Sequence, residues 1–233
     1  MAFRSTKAKL ALFHHRFEMN NEQSDRKQMV RDQLVGRGLR DPRLLSAFGS
    51  VPRHLFVPKE YLHHAYADGP LPIGFGQTIS QPYIVALMTH LLELTGRERV
   101  LEVGTGSGYQ AAILSHLAAE VHTLEIVPEL AAQAERTLSE LGCQNVHCHL
   151  ADGSLGWPAA APYDGILVTA AAPSAPHTLL SQLTEGGRLV LPVGDRGYQE
   201  LEIWQKAGGE FSRRTSLGVA FVPLRGEYGW KQK

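Results

Sequence analysis

The chain has 233 residues, 43% hydrophobic and 20% charged, a size and balance that suit one large α/β domain with a true core. Its 23 basic and 23 acidic residues cancel, which excludes a nucleic-acid binder working through a broad cationic face. Two cysteines, Cys143 and Cys148, are too few for a disulfide framework. No apolar run approaches the ~18 residues of a membrane span, so the expectation is a cytoplasmic, monomeric protein without nucleic-acid or membrane partners.

Residues 1–24 carry Arg4, Lys7, Lys9 and Arg16 against Glu18 and Glu22 without sustained periodicity. They read as a disordered extension ahead of a single domain over 25–233, and the apolar stretch 10–13 is too short for a signal peptide. Met29, Val30 and Leu34 share a helical face within 25–38. Asp41-Pro42 reads as an N-cap followed by a proline in the first helical position, opening a short helix with Leu44, Leu45 and Phe48 inward. Residues 51–58, bounded by prolines, are expected to be extended or turning. Residues 66–80, dense in Gly and Pro, read as a loop. From Pro82, Ile84, Leu87, Met88, Leu91 and Leu92 form a helical stripe that Gly96 closes.

Beyond it, strands at 99–103, 120–126, 145–150, 163–169 and 187–192 alternate with helices at 109–118, 128–141 and 176–183. That alternation predicts a parallel sheet covered on both faces. Residues 200–206 and 211–222, separated by Ala207-Gly208-Gly209-Glu210, read as a hairpin. The fold class is therefore α/β, a doubly wound, mostly parallel sheet with an N-terminal helical cap and a C-terminal antiparallel hairpin.

Val100-Leu101-Glu102-Val103 runs into Gly104-Thr105-Gly106-Ser107-Gly108, a turn whose glycines let a ligand approach the main chain. Glu125 ends the second strand, 23 residues after Glu102, where a carboxylate accepts hydrogen bonds from both hydroxyls of a ribose. Asp152-Gly153 follows the third strand, within reach of an adenine amino group. Any one of these acids fits a solvated strand end or a helix cap; three on consecutive strands point to a nucleoside. The dinucleotide fingerprint is G-x-G-x-x-G, and here Gly108 comes one residue early. Glu102 would also set an anion beside a pyrophosphate, whereas it suits the amino end of methionine. The spacing favours S-adenosylmethionine.

Gly76-Gln77-Thr78-Ile79-Ser80-Gln81-Pro82-Tyr83, with 100–110, 168–173, Leu191-Pro192-Val193-Gly194 and Phe221-Val222-Pro223-Leu224, resembles the bacterial protein-L-isoaspartate O-methyltransferase family. The match runs from about Asp25 to Gly229. The glycine loop is common to many methyltransferases, while the segment 77–82 is peculiar to this family. The resemblance implies the class I methyltransferase fold with a rearranged order of the last strands. It implies S-adenosylmethionine as cofactor and isoaspartyl residues of damaged proteins as partners, repaired through a methyl ester and a succinimide. It also implies roles: Ser80 as the active-site residue with Thr78 beside it, and Glu102, Gly104, Thr105, Gly106, Gly108, Glu125, Asp152 and Gly153 around the cofactor. Ala170 and Ala171, in the loop 169–173, would hold the substrate backbone.

The chemistry suits this set. An α-carboxyl with a pKa of roughly 3.5 is already ionised at pH 7, so no general base is needed. In-line positioning can then supply roughly 7–11 kcal/mol of barrier reduction, and Ser80 is expected to orient the carboxylate rather than attack. The plainer reading is that Ser80 only caps the helix beginning at Pro82. His147, Cys148 and His149 alternate faces on a strand, so no metal cluster is expected. His63-His64 read as surface residues, and Trp204, Phe211 and Phe221 as edge-strand packing. No G-x-S-x-G elbow is present for a hydrolase. Competing readings are a methyltransferase for a small-molecule or nucleic-acid acceptor, a non-catalytic S-adenosylmethionine-binding module, and an NAD-dependent oxidoreductase.

Overall fold

The computed structural model describes residues 21–195 and 197–231. Most of the expected N-terminal extension thus lies outside the described residues. Residues 21–24, assigned to that extension, are already helical and open α1 (21–29). This helix widens into a π turn at Val30–Leu34, then tightens into a 3-10 turn at Val35–Arg37, and Gly38 at φ 93° stops it. Met29 and Leu34 are buried as their spacing predicts.

Asp41 caps α2 (Pro42–Ser50), accepting from the main-chain nitrogens of Arg43 at 2.9 Å and Leu44 at 3.5 Å. Two 3-10 turns follow, Arg53–Phe56 and Lys59–His64. Where a loop was expected, β1 (Leu71–Gly74) pairs antiparallel with β2 (Gln77–Ile79). The tight turn between them needs positive φ at Gly74, Phe75 and Gly76, so the residues that resemble a loop in sequence are the ones that close a hairpin. α3 (Pro82–Leu91) follows directly.

The main sheet holds β3 (Arg99–Val103), β4 (Glu120–Glu125), β5 (Val146–Leu150), β6 (Tyr163–Val168), β7 (Leu183–Gly194), β8 (Gln199–Ala207) and β9 (Glu210–Val219) in the order β5-β4-β3-β6-β7-β8-β9. The first five run parallel, and β7–β8 and β8–β9 are antiparallel. The last three strands lie side by side in chain order. Three helices connect the parallel strands: α4 (Tyr109–Ser115), α5 (Pro128–Glu140) and a short α6 (His177–Leu180). The helix expected over 176–183 is cut short because Leu183 already belongs to β7, paired with Tyr163.

Three apolar clusters hold these layers. Met88 and Leu91 of α3, with Leu92 just after it, pack on Val100, Val121 and Leu167 of the central strands. Leu179 and Leu180 of α6 cover Leu101, Ile166 and Leu189 on the opposite face. The N-terminal cap buries Met29, Leu44 and Phe48 with Tyr109 and Ile113 of α4 and with Ile73 and Ile79 of the small hairpin. Each such side chain contributes roughly 1.5–3 kcal/mol on burial, so the cap and hairpin are fixed to α4. Strand order reverses between β3 and β6, and a crevice opens beyond the carboxyl ends of strands at such a point. Among the described residues no helix is long and apolar enough to cross a membrane.

Candidate active site

The turn after β3 holds Gly104, Gly106 and Gly108 at φ 96°, 54° and 90°, which L side chains rarely adopt. At Gly104 a Cβ would also strike the Thr169 hydroxyl, which donates to the carbonyls of Gly104 (2.6 Å) and Val103 (3.1 Å). Thr169 thereby clamps the end of β6 to the glycine turn across the switch point. Gly153 has no room either, since its Cβ would meet the Val103 side chain.

Glu125 ties the same turn to the end of β4. Its Oε2 accepts from Gly106 N at 2.8 Å, and its Oε1 from Ile126 N and Val127 N at 2.9 and 3.0 Å. Three of about four acceptor sites on this carboxylate are thus engaged, and the free one lies on Oε2.

Glu102 differs sharply. It is fully buried; Oε2 accepts from the Thr123 hydroxyl at 2.6 Å, while Oε1 has no partner. Because Thr123 gives its proton to Glu102, the Thr105 hydroxyl, 2.6 Å from that of Thr123, must donate to it. Thr105 therefore supports Glu102 through Thr123 and lines the same cleft. Burial pushes the Glu102 carboxyl up to about 8, the Thr123 hydrogen bond opposing and the negative charge of Glu125 adding. A buried acid with one unsatisfied oxygen calls for a hydrogen-bond donor, and a cationic donor would let it ionise.

Two narrow clefts meet at the glycine turn and share Thr78, Gly104, Gly106 and Thr169. One runs past Glu125, Gly153, Ala170 and Leu224; the other holds Glu102, Ser80, Tyr109 and Gln110. Asp152 is turned elsewhere: Oδ1 accepts from Ser154 N (2.9 Å) and Oγ (2.7 Å), and Oδ2 from Glu227 N (2.8 Å). It pins the segment 222–231 beside the cleft, where Gly153 forms the wall. Ala171 serves the same segment, its N–H donating to Val222 O and its carbonyl accepting from Leu224 N, both at 2.8 Å. Of the two alanines, Ala170 reaches the cleft.

Ser80 lies between β2 and α3. Gln81, not Ser80, occupies the N-cap of α3, and no side chain bonds to that helix end. Gln81 instead reaches Asp68 Oδ1 at 2.8 Å. The Ser80 side chain is left to the cavities it lines, the Glu102 cleft and a broader cavity of about 340 Å³. The latter is bounded by Arg37, Tyr83, the end of β9 and Phe221 just past it. Arg37 pairs with Asp68 and lies 4.6 Å from the centroid of the Tyr83 ring.

Sequence reasoning missed Arg37, Arg53, Tyr83, Tyr109 and Phe221. Phe221 was assigned to edge packing yet lines both cavities beside Ser80. For Arg53 one signal exists, a lone basic residue among the apolar positions of Val51-Pro52-Arg53-His54-Leu55-Phe56-Val57. His147 and His149 do share a side, against His122, whose Nδ1 is 3.0 Å from His149 Nε2. Among the described residues no group of three or more His, Cys, Asp or Glu is arranged to hold a metal ion.

The chain matches the family model described as protein-L-isoaspartate(D-aspartate) O-methyltransferase over residues 24–229. A protein-L-isoaspartate O-methyltransferase of Trichlorobacter lovleyi is 56% identical over 207 residues, 88% of this chain and 95% of that one. A solved protein-L-isoaspartate O-methyltransferase superposes with a TM-score of 0.80 at 31% identity, covering 88% of this chain and 67% of the other. A Plasmodium falciparum protein described as a putative protein-L-isoaspartate O-methyltransferase, solved with S-adenosyl-L-homocysteine, reaches a TM-score of 0.75 at 24% identity over 85% of this chain and 97% of its own.

Proposed function

The chain belongs to the protein-L-isoaspartate(D-aspartate) O-methyltransferase family and is a methyltransferase of isoaspartyl carboxylates, and we propose that its own residues divide that reaction between two flanks of the cleft. On one flank, Glu102 Oε1 receives the ammonium of the methionine part of S-adenosylmethionine. Glu125 Oε2 accepts a ribose hydroxyl, and Gly153 with Ala170 walls the nucleoside. The observation that carries this reading is the orphaned Glu102 oxygen, buried at the end of β3 beside a glycine turn that a Cβ would fill. The donor set suits a cationic amino acid joined to a nucleoside and does not suit a pyrophosphate.

Bound S-adenosylmethionine supplies a methyl group on a sulfonium sulfur that departs as a neutral thioether. The acceptor is an α-carboxylate, ionised at neutral pH without help, since its ordinary pKa is roughly 3.5. The protein's task is orientation in a site poor in water. Ser80 donates a hydrogen bond to one carboxylate oxygen and leaves the other to take the methyl group. Thr78, on the same strand end and shared by both clefts, bounds the acceptor's path. The methyl ester then closes to a succinimide as the following main-chain nitrogen displaces methanol, and hydrolysis returns part of it as normal aspartate. The same reading takes the protein to act as a cytoplasmic monomer on damaged proteins rather than on nucleic acid or membranes; the lack of a basic excess supports it as far as nucleic acid is concerned.

Labelled methyl transfer to a synthetic isoaspartyl peptide, beside the aspartyl peptide, tests the reading. Base-labile label on the isoaspartyl peptide alone is expected. Label on neither, with S-adenosylhomocysteine still bound, would transfer the search to another acceptor.

A further inference from the structure

Arg53 has no solvent exposure, and it is the only arginine or lysine buried among the described residues. Its Nε donates to the Ala65 carbonyl and its Nη2 to the Ser80 carbonyl, both at 2.8 Å. The guanidinium carbon lies 4.9 Å from the centroid of the Tyr109 ring, whose edge lines the Glu102 cleft beside Ser80. Nη1 has no hydrogen-bond partner, and no ion pair with a carboxylate is present among the described residues. Burial lowers its pKa to about 10, with Tyr109 opposing, so it stays charged at neutral pH. A buried cation without a counter-charge is costly to a fold, and two main-chain hydrogen bonds do not supply one. The packing of the cap alone does not account for an arginine here.

The charges of the site do. Glu102 and Glu125 both stand on the cofactor flank, where a sulfonium and an ammonium would meet them. The acceptor flank must receive an anion, and the one buried cation lies directly behind the residue proposed to hold it. We infer that Arg53 is a positioning residue for methyl transfer, fixing the Ser80 main chain and lending the acceptor site the positive charge that selects a carboxylate over its neutral amide. This inference rests on the isoaspartyl reading above. The isoaspartyl carboxylate becomes the counter-charge that Arg53 lacks, and Ser80 sits between the two.

The test compares wild type with Arg53→Met and Arg53→Lys on three readouts. These are kcat/KM for an isoaspartyl hexapeptide, inhibition by the same peptide carrying an α-amide, and S-adenosylhomocysteine affinity by calorimetry. Arg53→Met is expected to lower kcat/KM about 100-fold, the scale of losing one member of a buried charge pair. S-Adenosylhomocysteine affinity and amide inhibition should stay within about threefold, so that preference for carboxylate over amide collapses. Arg53→Lys, with the charge but one fewer hydrogen bond, should recover at least about tenfold of the loss. Equal loss for carboxylate and amide, or a lysine variant no better than methionine, would reduce Arg53 to a brace and overturn the inference. Should Arg53→Met fail to fold, the lysine variant decides alone: discrimination kept supports the role, and discrimination lost refutes it. Failure of wild type itself on the isoaspartyl peptide marks the error as one of substrate instead.

Discussion

On the cofactor flank, Glu102, Gly106, Glu125 and Gly153 come from the ends of three adjacent parallel strands, and main-chain amides or threonine hydroxyls already fix both carboxylates. On the acceptor flank, Arg37, Arg53, Ser80 and Phe221 come from a capping turn, a 3-10 turn, a hairpin exit and the chain past the last strand. There the cavity is about 340 Å³, its walls are mixed, and no side chain caps the helix that faces it. The difference follows what each flank must bind. One ligand never varies and rewards a preorganised cradle. The other is a single carboxylate embedded in whatever peptide has been damaged, so the protein fixes the point of reaction and leaves the surroundings roomy.

Four perturbations probe that division. The largest effect is expected from Glu102→Ala, which removes the proposed partner of the ammonium. Cofactor affinity should fall about 100-fold or more, given ~2–5 kcal/mol for truncating one partner of a buried charge pair. Calorimetry with S-adenosylhomocysteine measures it, and an equal loss in peptide KM at saturating cofactor would dissolve the boundary between flanks. Ser80→Ala comes next. A hydrogen bond to a charged group is worth ~1.5–3 kcal/mol, so kcat should drop roughly 10–100-fold while S-adenosylhomocysteine affinity holds. Unchanged turnover would return Ser80 to a bystander. Phe221→Ala should raise peptide KM by about 3–10-fold, since burying an aromatic face contributes on the order of 1–2 kcal/mol even when half-exposed. A matching change in cofactor affinity would show that this ring belongs to both flanks.

The smallest effect is one of stability. Without ligand, Glu102 in the folded chain keeps its proton up to about pH 8, whereas an unfolded glutamate loses it near 4.5. The folded state therefore binds more protons in that window, and stability falls as pH rises through it. Glu102→Gln should remove that slope. Its Tm should exceed wild type by several degrees at pH 8 and by little at pH 5, each 1 kcal/mol being worth about 2–4 °C at this size. Saturating S-adenosylhomocysteine should erase the advantage by supplying wild type with its missing cation.

The same division governs what could be read from the chain alone. The parallel strands and the glycine turn announce themselves because each is a local pattern: an apolar run, a turn that needs positive φ, an acid at the strand end. Gly104 and Glu125 were therefore visible within a few dozen residues of each other. Phe221 and Arg53 come close to Ser80 only through the fold, so each looks like packing in its own neighbourhood. The β1–β2 hairpin was lost for another reason. Pro72, Gly74 and Gly76 supply the composition of a loop, and the short strands carry too few residues for a period of two to stand out. Asp152 was placed on the right strand end, but its hold on the Glu227 main chain could not be read, because that residue lies 75 positions away. The order of the closing strands was equally silent, since a hairpin of the same sequence can attach by either strand.

The way the segment 222–231 is fastened has a consequence for the life of the molecule. It passes through Ala171, Asp152 and Ser154, and it supplies Leu224 and Arg225 to the cofactor cleft long after the glycine turn has been synthesised. A nascent chain can thus complete all five parallel strands and still lack one wall of its nucleoside pocket. The same holds for a chain that a protease has clipped just after β9. The nucleoside cleft closes only when residues 222–231, far along the chain, have returned to the switch point.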